Sequence, residues 1–130
     1  MYVTDTHPIA FYAQQKNARL GRNALRLFKD ADDAKVVIYV PAAVLWEIAE
    51  LVRAGLVKLP SRFDHWYREL NAKEGFIIEH LAPEDVNEAR HLPFPDSFDC
   101  LIAGTALRLG CPLITKDAAI AGSGLVETVW

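Results

Sequence analysis

The sequence predicts an α/β fold: a three-layer sandwich whose mostly parallel central sheet of four to five strands lies between helical layers. Three observations predict it. Short apolar runs alternate with longer stretches in which apolar residues recur at helical spacing, the pattern of strand–helix–strand units. Val36-Val37-Ile38-Tyr39-Val40 is β-branched, aromatic and almost unrelieved in apolarity, as suits a parallel strand covered on both faces. Two of the apolar runs end in an aspartate, Asp5 and Asp117, and sites in such sheets form outside the carboxyl ends of the strands.

The elements follow in order. Tyr2-Val3-Thr4 opens the chain as a short strand ending near Asp5, and Pro8 is expected to hold His7 extended. Ile9 to Ala13 begins a helix, and the polar, basic stretch from Lys16 to Gly21 reads as a break. Asn23 to Ala31 resumes helical spacing through Leu25, Leu27 and Phe28, and Asp30 to Asp33 forms an acidic turn. After the Val36–Val40 strand, Pro41 is expected to open a helix, where its missing N–H costs least. Val44, Leu45, Ile48, Leu51 and Val52 share one face of that helix, which stops at Gly55. Pro60 to Ala72 carries Phe63, Trp66, Tyr67 and Leu70 at spacings of three and four and reads as another helix. Phe76-Ile77-Ile78 is a third strand, and Pro83 to His91 a short polar helix.

The stretch from Phe94 to Asp99 is a Pro-containing loop with two carboxylates, running into an apolar helix rich in Ala and Gly. Gly110 and Pro112 stop that helix. Leu113 to Thr115 then reads as a buried strand, with Asp117 just beyond its carboxyl end, and Leu125 to Trp130 as a terminal strand.

At 130 residues, 52% apolar and 24% charged, the chain is expected to be one globular domain with a real core. It has no apolar run long enough to span a bilayer and no basic-then-apolar opening, so a cytoplasmic protein with no membrane partner is expected. Cys100 and Cys111, the only cysteines, lack zinc-site spacing and read as buried thiols rather than a disulfide. A net charge of −3 excludes a basic nucleic-acid coat protein but not a nuclease, whose active-site acids a bound cation would offset. No phosphate loop and no serine in a nucleophile elbow is present.

The acids are the chemical signal. Asp5 and Asp117 end strands, Glu47 lies on an otherwise apolar helix, Asp99 opens the last long helix, and Asp96 precedes it. A carboxylate on the face of Ile48 is costly to bury without a cation or donors. Carboxylates brought close raise one another's pKa unless a cation intervenes. Hard oxygen donors select Mg²⁺, with Mn²⁺ possible, and such ions activate water and stabilise a leaving oxygen in phosphodiester cleavage. Thr115 is placed either to hydrogen-bond an acid or a metal-bound water, or simply to cap its strand. Lys116 is expected to point into solvent. His7 reads as a loop residue rather than a proton donor. Lys16, Arg19, Arg22 and Arg26 form a basic stretch that either tracks an RNA backbone or pairs with an acidic partner, or is a solvated helix face.

Three segments carry a resemblance: Tyr2-Val3-Thr4-Asp5-Thr6, Leu45-Trp46-Glu47-Ile48-Ala49, and Asp96-Ser97-Phe98-Asp99-Cys100-Leu101-Ile102-Ala103 with Thr115-Lys116-Asp117. Together they resemble a PIN domain, and more narrowly the VapC-type toxins of toxin–antitoxin pairs, over essentially the whole chain. The resemblance implies that the family's acids fall on Asp5, Glu47, Asp99 and Asp117, and its N-terminal Thr/Ser on Thr6. Asp96 matches a frequent additional acid in the family's DPFD-like segment, where Ser97 replaces proline here. It further implies a Mg²⁺-dependent endoribonuclease acting on RNA, a homodimer, and neutralisation by a cognate antitoxin. A catalytically silent PIN-like module that binds RNA or protein is the alternative, and loss of acids would mark it. A receiver-type phosphoacceptor ranks lower, because no Asp directly follows Val40 or Ile78.

Overall fold

The computed structural model describes residues 1–130. Five strands form one sheet in the order β3-β2-β1-β4-β5, every pairing parallel, with seven α-helices flanking it. This is the predicted architecture, at the upper end of the expected strand number.

Strand β1 (Tyr2–Thr4) leads at once into helix α1 (Thr6–Ala13), because Asp5 has extended backbone and its carboxylate accepts from the Thr6 N–H at 2.7 Å. The helix thus begins three residues before the expected Ile9. Pro8 falls within the first turn, where no intrahelical N–H is needed, so His7 is helical rather than extended. A turn of 3₁₀ helix (Asn17–Arg19) occupies the basic break.

Helix α2 (Arg22–Asp32) buries Ala24, Leu27, Phe28 and Ala31. Strand β2 (Ile38–Pro41) takes in Pro41, which is extended and caps helix α3 (Ala42–Arg53) instead of opening it. Helix α4 (Phe63–Ala72) starts at Phe63, three residues later than the pattern suggested, and buries Trp66 and Leu70. Strand β3 (Phe76–Glu79), helix α5 (Pro83–Ala89) and helix α6 (Ser97–Leu109) follow. Gly110 ends α6 with a left-handed backbone, φ 62°, which a side chain would strain.

Strand β4 (Leu113–Ile114) is followed by helix α7 (Ala118–Ser123), which the sequence did not announce. Its six residues carry one buried apolar side chain, Ile120, too little for a helical period. Strand β5 (Thr128–Val129) is only two residues near the end of the expected terminal strand.

The chain steps from β1 to β2 to β3 in one direction, then returns across both to set β4 on the other edge of β1. A core of 23 buried residues fills the space against the sheet, including Val3, Phe28, Ile38, Val40, Ile48, Phe76, Ile102 and Leu113. Trp66 is in this core, as its spacing suggested. The two cysteines are free, and half-buried rather than fully buried. Away from the core, Arg108 joins α6 to α5 and β3 through the fully buried Asp85 and through Glu79 at 2.7 Å. No helix is long and apolar enough to cross a membrane.

Candidate metal centre

The reversal of strand order makes the gap between β1 and β4 the topological switch point, the crevice where open parallel sheets place their ligands. An aspartate follows each strand there, Asp5 directly after β1 and Asp117 three residues after β4. Register holds them together: Thr4 pairs with Ile114, and the Asp5 N–H donates to the Ile114 carbonyl at 3.0 Å.

Local capping chemistry aims the carboxylates. Asp5, 6% exposed, accepts from the Thr6 N–H on one oxygen and from the Thr115 hydroxyl on the other, each at 2.7 Å. Each oxygen keeps a second lone pair. The Thr115 hydroxyl also accepts from the Asp117 N–H at 3.0 Å, so it ties the two strand-end acids together. Of the roles open to Thr115, the structure shows the hydrogen bond to an acid. Asp117 caps α7 by accepting from the Ile120 N–H at 2.9 Å, and Asp96 caps α6 from the Phe98 N–H at 2.8 Å. Each of these two leaves its second oxygen without a partner. Thr6 donates its hydroxyl to one Glu47 oxygen at 2.7 Å, drawing α3 to the start of α1. Glu50, the other acid of α3 near this face, pairs instead with Arg53.

All five acids line one pocket of about 250 Å³ with Thr6, His7 and Lys116, and no hydrophobic residue contributes to it. A larger concavity, about 820 Å³ beside α1 and α4, contains none of them. Chemistry rather than size identifies the site.

The charge is uncompensated. Asp99 receives no hydrogen bond, and its carboxyl is pushed up to about 7 by burial and then by the charges of Asp5, Asp96, Asp117 and Glu47. Glu47 is also raised, first by burial, against the lowering effect of the Thr6 hydrogen bond, with Asp5 and Asp96 adding to the rise. Nearby like charges and partial desolvation act in the same direction here.

The donor set fits a hard divalent cation. No three of these side chains are grouped tightly enough to hold an ion by themselves. A cation held there would take one or two carboxylates directly and keep several waters, as Mg²⁺ does. Asp5, Glu47, Asp96, Asp99 and Asp117 are the residues that would hold it.

The basic residues separate. Lys16 and Arg22 are exposed and do not line the pocket. Arg19 lies with its guanidinium carbon 4.9 Å from the centroid of the Phe11 ring. Lys116 is exposed, as expected, and also lines the pocket, with its ammonium 4.9 Å from the same ring. His7 lies in the first turn of α1 and also lines the pocket. Phe11 carried no signal in the sequence beyond core apolarity. Position beside Asp117 was the only hint for Lys116.

The fold and the site together define a parallel α/β protein with a polar, acid-lined pocket at the switch point of its sheet. The chain belongs to the PIN domain family, whose family model matches residues 2–122. Among solved structures it is similar to VapBC2 from Rickettsia felis bound to a promoter DNA fragment, with 13% identity, a TM-score of 0.67, and 98% of this chain and 96% of that chain covered. It is also similar to a toxin–antitoxin complex from Klebsiella pneumoniae (16% identity, TM-score 0.66, 100% and 97% covered). A third similar structure is the sarcin–ricin loop cleaving toxin VapC20 of Mycobacterium tuberculosis (21% identity, TM-score 0.64, 98% of each chain covered). At these identities the likeness is one of fold. No curated protein matches the sequence.

Proposed function

We propose that this protein is a metal-dependent endoribonuclease, the toxin of a toxin–antitoxin pair, that hydrolyses RNA phosphodiesters in the cytoplasm. The observation that carries the reading is the single pocket in which five carboxylates from four elements meet with none of them in an ion pair. PIN family membership and the likeness in fold to toxins of toxin–antitoxin systems support it.

Bound in the pocket, Mg²⁺ (or Mn²⁺) would lower the pKa of water and offset charge on the phosphate and the leaving oxygen. The chain's own residues do the rest. Asp5 and Asp117, locked by the Thr115 hydroxyl and by their caps, present fixed carboxylate oxygens. Glu47 is held by Thr6 with one oxygen free, and Asp99 faces the other acids with both. Thr6 and Thr115 thus support the ligands rather than react. An antitoxin and a second copy of the chain are the proposed protein partners. All five acids are present, so the non-cleaving alternative has no observation in its favour.

Incubating a total RNA pool with purified protein tests this, in Mg²⁺, in EDTA, and beside Asp99→Asn and Asp5→Asn. Cleavage in Mg²⁺ that EDTA abolishes and both variants lose, with circular dichroism unchanged, is the expected result. Cleavage retained by correctly folded Asp5→Asn protein would sink the assignment of the site.

A further inference from the structure

We propose that Lys116 and His7, which line the acidic pocket, together with Arg19, held with them on the ring of Phe11, form a subsite for a phosphate of the RNA backbone beside the scissile bond. The inference rests on the nuclease reading above and adds to it a site for a second, unreacting phosphate.

Phe11 is 7% exposed and its ring is fixed among core side chains. Three side chains from separate stretches converge on it: Arg19 from the 3₁₀ turn and Lys116 from beyond β4, each 4.9 Å from the ring centroid, and His7 from α1, ring to ring at 6.0 Å. Backbone bonding does not dictate this. His7 and Phe11 lie one turn apart on α1 and Arg19 is in the 3₁₀ turn that follows, whereas Lys116 reaches them only because β4 lies beside β1.

The informative point is what these cations do not do. Lys116 lines a pocket with five carboxylates, yet neither it nor Arg19 is in a salt bridge or a side-chain hydrogen bond. A lysine whose task was to neutralise Asp117 or Asp99 would rest on one of them. An aromatic face holds a cation with about the strength of an exposed ion pair, but leaves its full charge and its N–H donors available. The ring therefore keeps two positive groups in place for an anion that is not part of the protein.

The anion is a phosphate on physical grounds. An acidic pocket in a chain of net charge −3 repels a polyanion at every point except where a cation is held. Arg and Lys at one rim give a strand one attractive side, and the reacting phosphate is the neighbour of the one they grip. Phe11 acts as a positioning residue. Its ring orients the cations and, at 7% exposure, has little surface of its own to offer a base.

Salt dependence provides the test. The probe is a short single-stranded RNA oligonucleotide, with Mg²⁺ present and Asp99→Asn used as background to suppress cleavage. Lys116→Gln and Arg19→Gln should each lower the slope of log affinity against log salt by about 0.7, the loss of one single-strand phosphate contact. In the wild-type background each should raise KM by about tenfold and change kcat little. Phe11→Leu keeps both charges and most of the volume. It should raise KM while its melting temperature, and those of the two exposed-site variants, report on the fold. Unchanged slope and KM in both Gln variants of an active enzyme would overturn the subsite alone. Wild-type protein that neither binds nor cleaves RNA overturns the nuclease reading and the subsite with it. Unchanged RNA binding, with loss of an acidic antitoxin on coexpression, would assign the cations to a protein partner and overturn the proposal.

Discussion

Asp99 is where the electrostatics of this molecule concentrate. Its carboxyl stands near 7 in the folded chain against an ordinary value of 3.8, so the folded state holds the proton more tightly than the unfolded one. A raised acid costs stability once it must ionise in the fold, and that cost grows as pH rises from about 4 to about 7. Asp99→Asn should therefore leave stability unchanged near pH 4 in metal-free protein and raise it progressively up to pH 7, levelling above. The expected gain is about 1–2 kcal/mol, the full shift being discounted for solvent screening at a half-exposed group. Urea unfolding at a series of pH values measures it, and a gain independent of pH would contradict the assignment. The identity of this residue was legible from its place at the start of an apolar helix after Asp96. Its proton affinity was not, because that depends on four acids distant in sequence.

At the scale of elements, α6 carries Asp99 at one end and is held against α5 at the other. A Cβ on Gly104 would lie 2.5 Å from the Asp85 carbonyl oxygen and 3.1 Å from the Ala89 backbone nitrogen. Backbone cannot yield as a flexible side chain does. Gly104→Ala should cost about 1–3 kcal/mol despite alanine's better helix propensity. Gly122→Ala in α7, where nothing lies within 4 Å, should instead gain up to about 1 kcal/mol. Thermal unfolding of the two variants side by side checks both signs, and equal signs would refute the packing account. The long elements were readable because their apolar residues recur over several turns. The start of α1 was misplaced because capping by Asp5 and a tolerated Pro8 outweighed the usual restriction before proline. Helix α7 was missed because six residues with one buried apolar position have no period.

For the whole molecule, the unbalanced pocket links cation binding to pH. Holding a divalent cation requires the acids to be ionised, so below about pH 7 binding must displace the Asp99 proton. Mg²⁺ should raise the melting temperature more at pH 8 than at pH 6. At a concentration near a hundred times its Kd it stabilises by about 2.7 kcal/mol. The shift should shrink in Asp99→Asn at pH 8. Scanning fluorimetry with and without Mg²⁺ measures it, and an equal shift at both pH values would separate Asp99 from the cation. The sequence by itself determined which of the long segments are strands, which are helices, and which acids stand at their ends. Periodicity and caps are local, and within the apolar Val36–Val40 run the strand and its fully buried residues are confined to the second half, with Ile38 and Val40 buried and Val36 and Val37 half-buried ahead of it. Only the tertiary structure decided that β4 lies beside β1, and with it the convergence of Asp5 with Asp117, the Thr115 link between them, and the placing of Lys116 on Phe11. Strand order is a choice among non-local pairings that similar apolar runs could equally make, so it is settled only when the whole core packs.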